Sequence, residues 1–310
     1  MSLDALADEL AARLGGDAVR RGVPVADLST YRLGGPVDVV VTVRREADLV
    51  GVAGAIATVP TPPVLVLGRG SNLLVADRGF PGLGVLLTGE LEAVTIEADG
   101  VAAGAAAPLP VVARRAAAAG LTGLEFYVGI PGSVGGAVRM NAGGHGRETV
   151  EVLRAAWTVD LLGDATPRRR DAGDLDLGYR HSALTDTDVV TRAAFVATPD
   201  SPDTCQARLD EVVRWRREHQ PGGANAGSVF RNPPGDSAGR LIDDLGLKGL
   251  RVGGAVVSPK HANFVQAEPG ATADDVAALV AEVQTRVGDA TGVQLVPELQ
   301  LVGFDQGAHR

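Results

Sequence analysis

At 310 residues the chain is long enough for one large core, and two domains are the better expectation. Its formal net charge of −9, from 38 acidic and 29 basic side chains, works against general nucleic-acid binding but allows a small anionic ligand held by locally gathered arginines. The one cysteine, Cys205, excludes an intrachain disulfide and fits a reducing cytoplasm; with five scattered histidines and no HxxxH pair, no metal site is expected.

The N-terminal MSLDALADELAARLGG reads as an amphipathic helix with Leu3, Leu6, Leu10 and Leu14 near one side, not as a signal peptide. No stretch approaches the ~20 apolar residues that span a bilayer, so no membrane insertion is expected. VDVVVTV (37–43) predicts a strand, EADLVGVAGAIA (46–57) a helix, and VLVLG (64–68) and GVLLT (84–88) two further strands. VTIEADGVAAGAAA (94–107) predicts a hairpin turning at Asp99-Gly100, and PVVARRAAAAG (110–120) a helix closed by Gly120. WTVDLLGDATPRRR (157–170) predicts a strand and a turn, and DVVTRAAFVA (188–197) a strand.

TPDSPD (198–203) marks a boundary. It divides an α+β domain over 1–200, itself two subdomains over about 20–88 and 89–200, from a smaller α+β domain over 201–310. Three helices are predicted after it. DTCQARLDEVVRWRREH (203–219) turns Cys205, Leu209, Val212 and Val213 inward; SAGRLIDDLG (237–246) has Ser237 as N-cap and Gly246 as its stop; ATADDVAALVAEVQTRVG (271–288) keeps Val276, Leu279, Val280, Val283 and Val287 in register.

Two glycine-rich stretches stand apart: LGRGSNLLVADRGFPG (67–82) and LEFYVGIPGSVGGAVRMNAGG (124–144). Neither is a dinucleotide fingerprint, since Leu73 stands where the third glycine belongs and no clear helix follows either stretch; no P-loop occurs. Closely spaced glycines let backbone N–H groups approach an anion, and Ser71, Asn72 and Ser133 add neutral donors. Either stretch alone could be only a tight turn, whereas two together favour a long two-phosphate ligand.

Six motifs then occur in order between about Tyr31 and Gly303: GRGSNLLVADRGFPG, GLEFYVGIPGSVGGAVRMNAGGHG, GYRHS, AGSVFRNP, SPKHANF and VPELQLVG. The series resembles the UDP-N-acetylenolpyruvoylglucosamine reductases, flavoenzymes of bacterial peptidoglycan precursor synthesis. The resemblance implies an α+β, vanillyl-alcohol-oxidase-type (PCMH-type) FAD-binding fold of two subdomains, followed by a C-terminal substrate domain. It assigns FAD contacts to Gly34 and Gly35, to Gly68, Arg69, Gly70, Ser71, Asn72 and Leu73, and to Gly129, Ile130, Pro131, Gly132, Ser133, Gly135 and Gly136. Only 47 residues separate Arg180 from Ser228, and no tyrosine follows Tyr179, which matches the shorter branch of the family, without the loop tyrosine that closes over substrate.

The implied reaction uses NADPH and FAD to reduce UDP-N-acetylglucosamine enolpyruvate to UDP-N-acetylmuramate, a small-molecule substrate handled in the cytoplasm. It needs a cation at the substrate carboxylate, a proton donor and a group tolerating developing negative charge. Arg180 fits the first, because guanidinium pairs bidentately with carboxylate; without the family it would read as a surface ion pair on a turn. Ser228 fits the second through position rather than acidity, and alone would read as an ordinary loop serine. Glu298 fits the third if burial keeps its carboxyl protonated; otherwise it faces outward. Asn232, Lys260, His261 and Arg216 are the expected substrate contacts, Arg216 with Arg214 and Arg217 forming a basic run that equally fits a solvated helix face.

His145 and His181 read as neutral turn residues, and Arg139 either reaches a phosphate or faces water. The oligomeric state stays open, a monomer included. The rivals are an FAD-dependent sugar or alcohol oxidase of the same fold, which needs no Ser228/Glu298 pair, and a carrier that has lost activity.

Overall fold

The computed structural model describes residues 3–304. The chain packs into two units. The first holds the described residues up to Gly22, then Asp38–Arg69 and Gly82–Arg216; the second holds Val23–Val37, Gly70–Pro81 and the described residues from Arg217 onward. This differs from the single boundary expected at residue 200, and apolar burial is the reason. Tyr31 and Leu74 are buried in the second unit's core, whereas Cys205 and Leu209 are buried in the first's.

In the first unit, α1 (Leu3–Leu14) and α2 (Asp48–Ile56) share a core with a four-stranded sheet in the order Val19–Pro24, Pro36–Val43, Phe80–Leu87, Val64–Leu67. Leu6 and Leu10 are buried and Leu3 and Leu14 pack at the edge, as the apolar spacing of α1 requires. A second core lies against a five-stranded antiparallel sheet ordered Arg168–Asp171, Leu153–Asp160, Asp188–Val196, Gly100–Gly104, Val94–Glu97. The hairpin at its edge pairs Glu97 with Gly100, so its turn is Ala98-Asp99, one residue earlier than expected.

α3 (Leu109–Ala118) buries Leu109, Val112, Ala113, Ala116 and Ala117. α4 (Val134–Met140) corrects the expectation that no helix follows the glycine stretches. Ser133 caps it, accepting from the Gly136 amide at 3.4 Å, and Val134, Ala137 and Val138 are buried. Tertiary packing and the cap outweigh its two glycines, which cost about 1 kcal/mol each relative to alanine. α5 (Pro202–His219) begins inside this unit, anchored by Cys205 and Leu209.

The second unit joins α6 (Ala238–Asp244) and α7 (Ala273–Thr291) to an antiparallel sheet of Arg251–Val252, Ala255–Val257 and Val265–Ala267. α7 opens on a capping box of Thr272 and Asp275 and stops at Gly292, with φ +74°. Val276, Leu279, Val280, Val283 and Val287 are fully buried along it, each worth about 1.5–3 kcal/mol of transfer from water. The Asp77 carboxylate also accepts from the amides of Ala273 (3.1 Å) and Asp274 (2.9 Å), tying the first glycine stretch to the start of α7. Gln300–Val302 pairs in parallel with Leu73–Val75, so the described C-terminal strand completes the segment that follows Asn72.

Candidate active site

In the first unit the two glycine stretches adjoin. A Cβ built on Gly68, just after the strand Val64–Leu67, would lie 2.7 Å from Ser133 Oγ. Gly68 and Gly136 are both exposed, and a Cβ on Gly136 would meet nothing closer than Ser133 Oγ at 3.5 Å. A side chain at either position would fill the exposed strip beside the Ser133 hydroxyl. Such a strip fits an elongated, anionic cofactor such as FAD, with Arg69 exposed beside it. Several amides of the second stretch are already used: Ile130 N donates to Tyr127 O (3.1 Å), Val134 N to Ala107 O (3.0 Å) and Gly135 N to Ala105 O (2.8 Å). The peptides of Ile130, Val134 and Gly135 therefore shape the strip rather than offering free donors.

Beneath it Tyr127 is fully buried, with its hydroxyl donating to Thr149 Oγ1 (3.0 Å) and Thr149 donating to Ala142 O (2.8 Å). Burial pushes the Tyr127 phenol up, the Thr149 hydrogen bond only partly offsetting it. Arg216 lies against the same stretch, a Cβ on Gly129 falling 3.2 Å from Arg216 Cδ, and burial pulls its guanidinium down. Arg214 and Arg217 are exposed, so the three arginines do not act as one patch. His145 takes φ +54° beside the edge of Trp215, with ring centroids 5.0 Å apart. Burial and then Arg216 lower the His145 pKa, which agrees with a neutral turn residue.

Arg180 sits in a tight turn closed by Gly178 N to His181 O (3.2 Å) and His181 N to Gly178 O (3.1 Å). Its φ of +55° is the left-handed region, uncommon for a side chain of this size. The side chain is 16% exposed, and its guanidinium lies 4.9 Å from the Tyr179 ring centroid and 3.7 Å from Glu148 Oε1. A partly desolvated guanidinium suits a carboxylate receptor. Arg139 does neither of the expected things. Its guanidinium donates to Leu184 O (3.0 Å), to Thr185 O and to Asp186 (2.6 Å), and its carbonyl accepts from Ser182 Oγ (2.7 Å), clamping the segment after the turn.

The second unit brings Ser228 and Glu298 onto neighbouring backbone. Ser228 bridges Phe264, Phe230 bridges Pro297, and Val229 O accepts from Glu298 N at 2.7 Å. Both side chains are half-buried, so Glu298 falls short of the full burial on which a protonated carboxyl was expected. Asn72 Nδ2 donates to Glu298 O (3.0 Å) and Gln300 N to Asn72 O (3.1 Å), which places Asn72 beside the segment that carries Glu298. Gly35 and Gly70 are required by backbone packing in this unit: their Cβ atoms would lie 2.2 Å from Asp77 O and 2.3 Å from Leu28 O, and Gly70 has φ +57°.

The expected substrate contacts carry structural bonds. Asn232 Oδ1 accepts from Ala238 N (3.1 Å) at the start of α6; Lys260 Nζ donates to Arg217 O (2.6 Å); His261 Nδ1 accepts from Asn263 N (3.2 Å). Burial, with Lys248 next, holds the His261 imidazole below its ordinary pKa.

Two residues of the site had no role assigned from sequence. Asn263 is buried, and its amide accepts from Phe230 N (2.9 Å) and donates to Phe230 O (2.8 Å). Asn141 is fully buried at φ +41°, the left-handed stop of α4. The first is signalled by an amide set between Ala262 and Phe264, the second by the preference of Asn for helix stops. Cys205, fully buried in the first unit's core rather than part of a second domain, offers no flavin attachment point. Among the described residues no group of His, Cys, Asp or Glu could hold a metal ion, and no helix is long and apolar enough to cross a membrane.

An α+β unit carrying this glycine-lined strip fits an FAD-dependent oxidoreductase, and comparison with known proteins shows that class. Residues 37–164 match the FAD binding domain model, and residues 219–302 match the C-terminal domain of UDP-N-acetylenolpyruvoylglucosamine reductase. The reductase of that name from Acidiphilium cryptum (strain JF-5) is 43% identical over 297 residues, covering 96% of this chain and 93% of its own. That from Rhodopseudomonas palustris (strain BisB5) is 44% identical over 293 residues, covering 93% and 92%. The crystal structure of UDP-N-acetylenolpyruvylglucosamine reductase from Thermus caldophilus superposes with a TM-score of 0.79 at 39% identity, covering 92% of this chain and 98% of that one. The chain belongs to the UDP-N-acetylenolpyruvoylglucosamine reductase family.

Proposed function

We propose that this chain reduces UDP-N-acetylglucosamine enolpyruvate to UDP-N-acetylmuramate with NADPH, a step of peptidoglycan precursor synthesis carried out in the cytoplasm. Similarity to reductases over nearly the whole chain, with the Arg180, Ser228 and Glu298 motifs all present, is the observation that carries this reading. When bound, FAD supplies a hydride carrier linking nicotinamide to the enol ether. Gly68, Arg69 and the 129–136 stretch of the first unit would hold it.

The protein's own groups do the rest. Arg180 receives the substrate carboxylate and steadies the charge that grows there. The Ser228 hydroxyl delivers a proton to the carbon beside that carboxylate, the backbone bonds of Val229 supplying position in place of acidity. Glu298, on the segment that bridges Phe230 through Pro297, gives a hydrogen bond to the developing charge when it carries a proton. Arg216 contributes a positive charge near Gly129, and Asn232, Lys260 and His261 shape the substrate side of the second unit.

The test is anaerobic spectroscopy of the purified protein. Bleaching of its flavin spectrum by NADPH, then recovery on adding the enolpyruvyl ether, is expected. Recovery only with oxygen would select the oxidase, and a colourless preparation that takes up no FAD would exclude both.

A further inference from the structure

Tyr31 is fully buried in the core of the second unit, in one cluster with Ala226, Val229, Phe230 and Val265. A phenylalanine would fill the same space. The hydroxyl adds a polar group that costs free energy to bury unless it is satisfied. It donates to Val265 O at 3.0 Å. Burial pushes the Tyr31 phenol up, and a hydrogen bond from the Ala226 backbone partly offsets this.

Both partners border Ser228. Ala226 lies two residues before it, and Val265 follows Phe264, the residue that Ser228 bridges. Downstream of the serine the main chain is tied through Val229 N to Asn263 O at 2.9 Å and Glu298 N to Val229 O at 2.7 Å. Upstream, Gly227 takes φ +77°, and its amide donates to Asn225 Oδ1 at 3.0 Å, a bond within the loop itself. A glycine next to the serine leaves its backbone free to swing unless the chain before it is anchored. Tyr31 is itself held from behind, since Thr30 N donates to Gly70 O at 3.2 Å. Resting on the reading of Ser228 as the proton donor, we propose that Tyr31 is its positioning residue: one buried hydroxyl joins the chain before the serine to the strand Val265–Ala267, and so sets where the serine backbone stands.

The test is anaerobic stopped-flow spectroscopy of FAD-loaded Tyr31→Phe, which keeps the ring and deletes the hydroxyl. NADPH should bleach the flavin at the wild-type rate. Recovery with saturating UDP-N-acetylglucosamine enolpyruvate should slow about tenfold, within what misplacement of a reacting group costs. The solvent deuterium isotope effect on recovery should rise, because proton delivery then limits the step. Val280→Ala is the control: it thins the same core, leaves the hydroxyl in place and should recover at the wild-type rate. In a Ser228→Ala background Tyr31→Phe should add less than about twofold, because two residues acting through one contact are not additive. Wild-type recovery by Tyr31→Phe, equal slowing of both halves, an unchanged isotope effect, equal slowing in Val280→Ala, full additivity with Ser228→Ala, or loss of flavin from Tyr31→Phe would each overturn the proposal while leaving the role of Ser228 intact. Wild-type recovery by Ser228→Ala would overturn the reading of Ser228, and this proposal with it.

Discussion

The carbonyl of Val229 accepts the amide of Glu298 at 2.7 Å, so the segments that carry Ser228 and Glu298 are joined main chain to main chain. On the other side, the Asn263 amide binds both backbone groups of Phe230, and Val229 N donates to Asn263 O at 2.9 Å. The backbone that carries the hydroxyl and the backbone that carries the carboxyl are thus fixed relative to one another. That arrangement suits a weak acid whose usefulness rests on where it stands.

Asn263→Ala should cost stability. It leaves the Phe230 N–H and C=O without their side-chain partner in a buried setting, a loss of about 1–3 kcal/mol for each group left unsatisfied. Urea denaturation of the variant against wild type measures it. An unchanged midpoint would mean that water or a backbone shift replaces the amide.

Gly68→Ala should weaken flavin retention. The added methyl would lie 2.7 Å from Ser133 Oγ, so Ser133 or the loop must move, and both line the cradle. A rise in the FAD dissociation constant of about tenfold or more, followed by flavin fluorescence on dilution, is expected, with little change in melting of the apoprotein. Retention equal to wild type would remove the Gly68–Ser133 strip from the cofactor site.

His261 should make the second unit acid-sensitive. Its folded pKa is depressed, chiefly by burial, so below about pH 6.5 the unfolded chain binds the proton more readily than the folded one. The stability it confers is present above that pH and falls as the solution is acidified. Protonation would also put a hydrogen on Nδ1, which now accepts from Asn263 N. Melting temperatures measured from about pH 7 down to about pH 5 should drop more steeply for wild type than for His261→Gln. Parallel slopes would contradict this.

Local signals made much of the fold legible. The capping box and regular apolar spacing of α7 appear directly in ATADDVAALVAEVQTRVG, and the valine runs mark the sheet. α4 was hidden because Gly135 and Gly136 dilute its periodicity, leaving Ser133 as its one clear marker. The grouping of Tyr31 and Leu74 with the C-terminal unit depends on contacts more than a hundred residues away, such as Tyr31 OH to Val265 O at 3.0 Å, which carry no local signature. At the site, the residue types proposed for chemistry, Arg180, Ser228 and Glu298, announced themselves. The amide of Asn263, which binds Phe230, did not, because an amide's role depends wholly on its partners.

The proton-delivery role of Ser228 is tested most directly by anaerobic stopped-flow spectroscopy of Ser228→Ala. NADPH should bleach the flavin at the wild-type rate, while recovery with UDP-N-acetylglucosamine enolpyruvate should slow by about 10²–10⁴-fold, the usual contribution of a positioned proton donor. Recovery at the wild-type rate, or equal slowing of both halves, would contradict it.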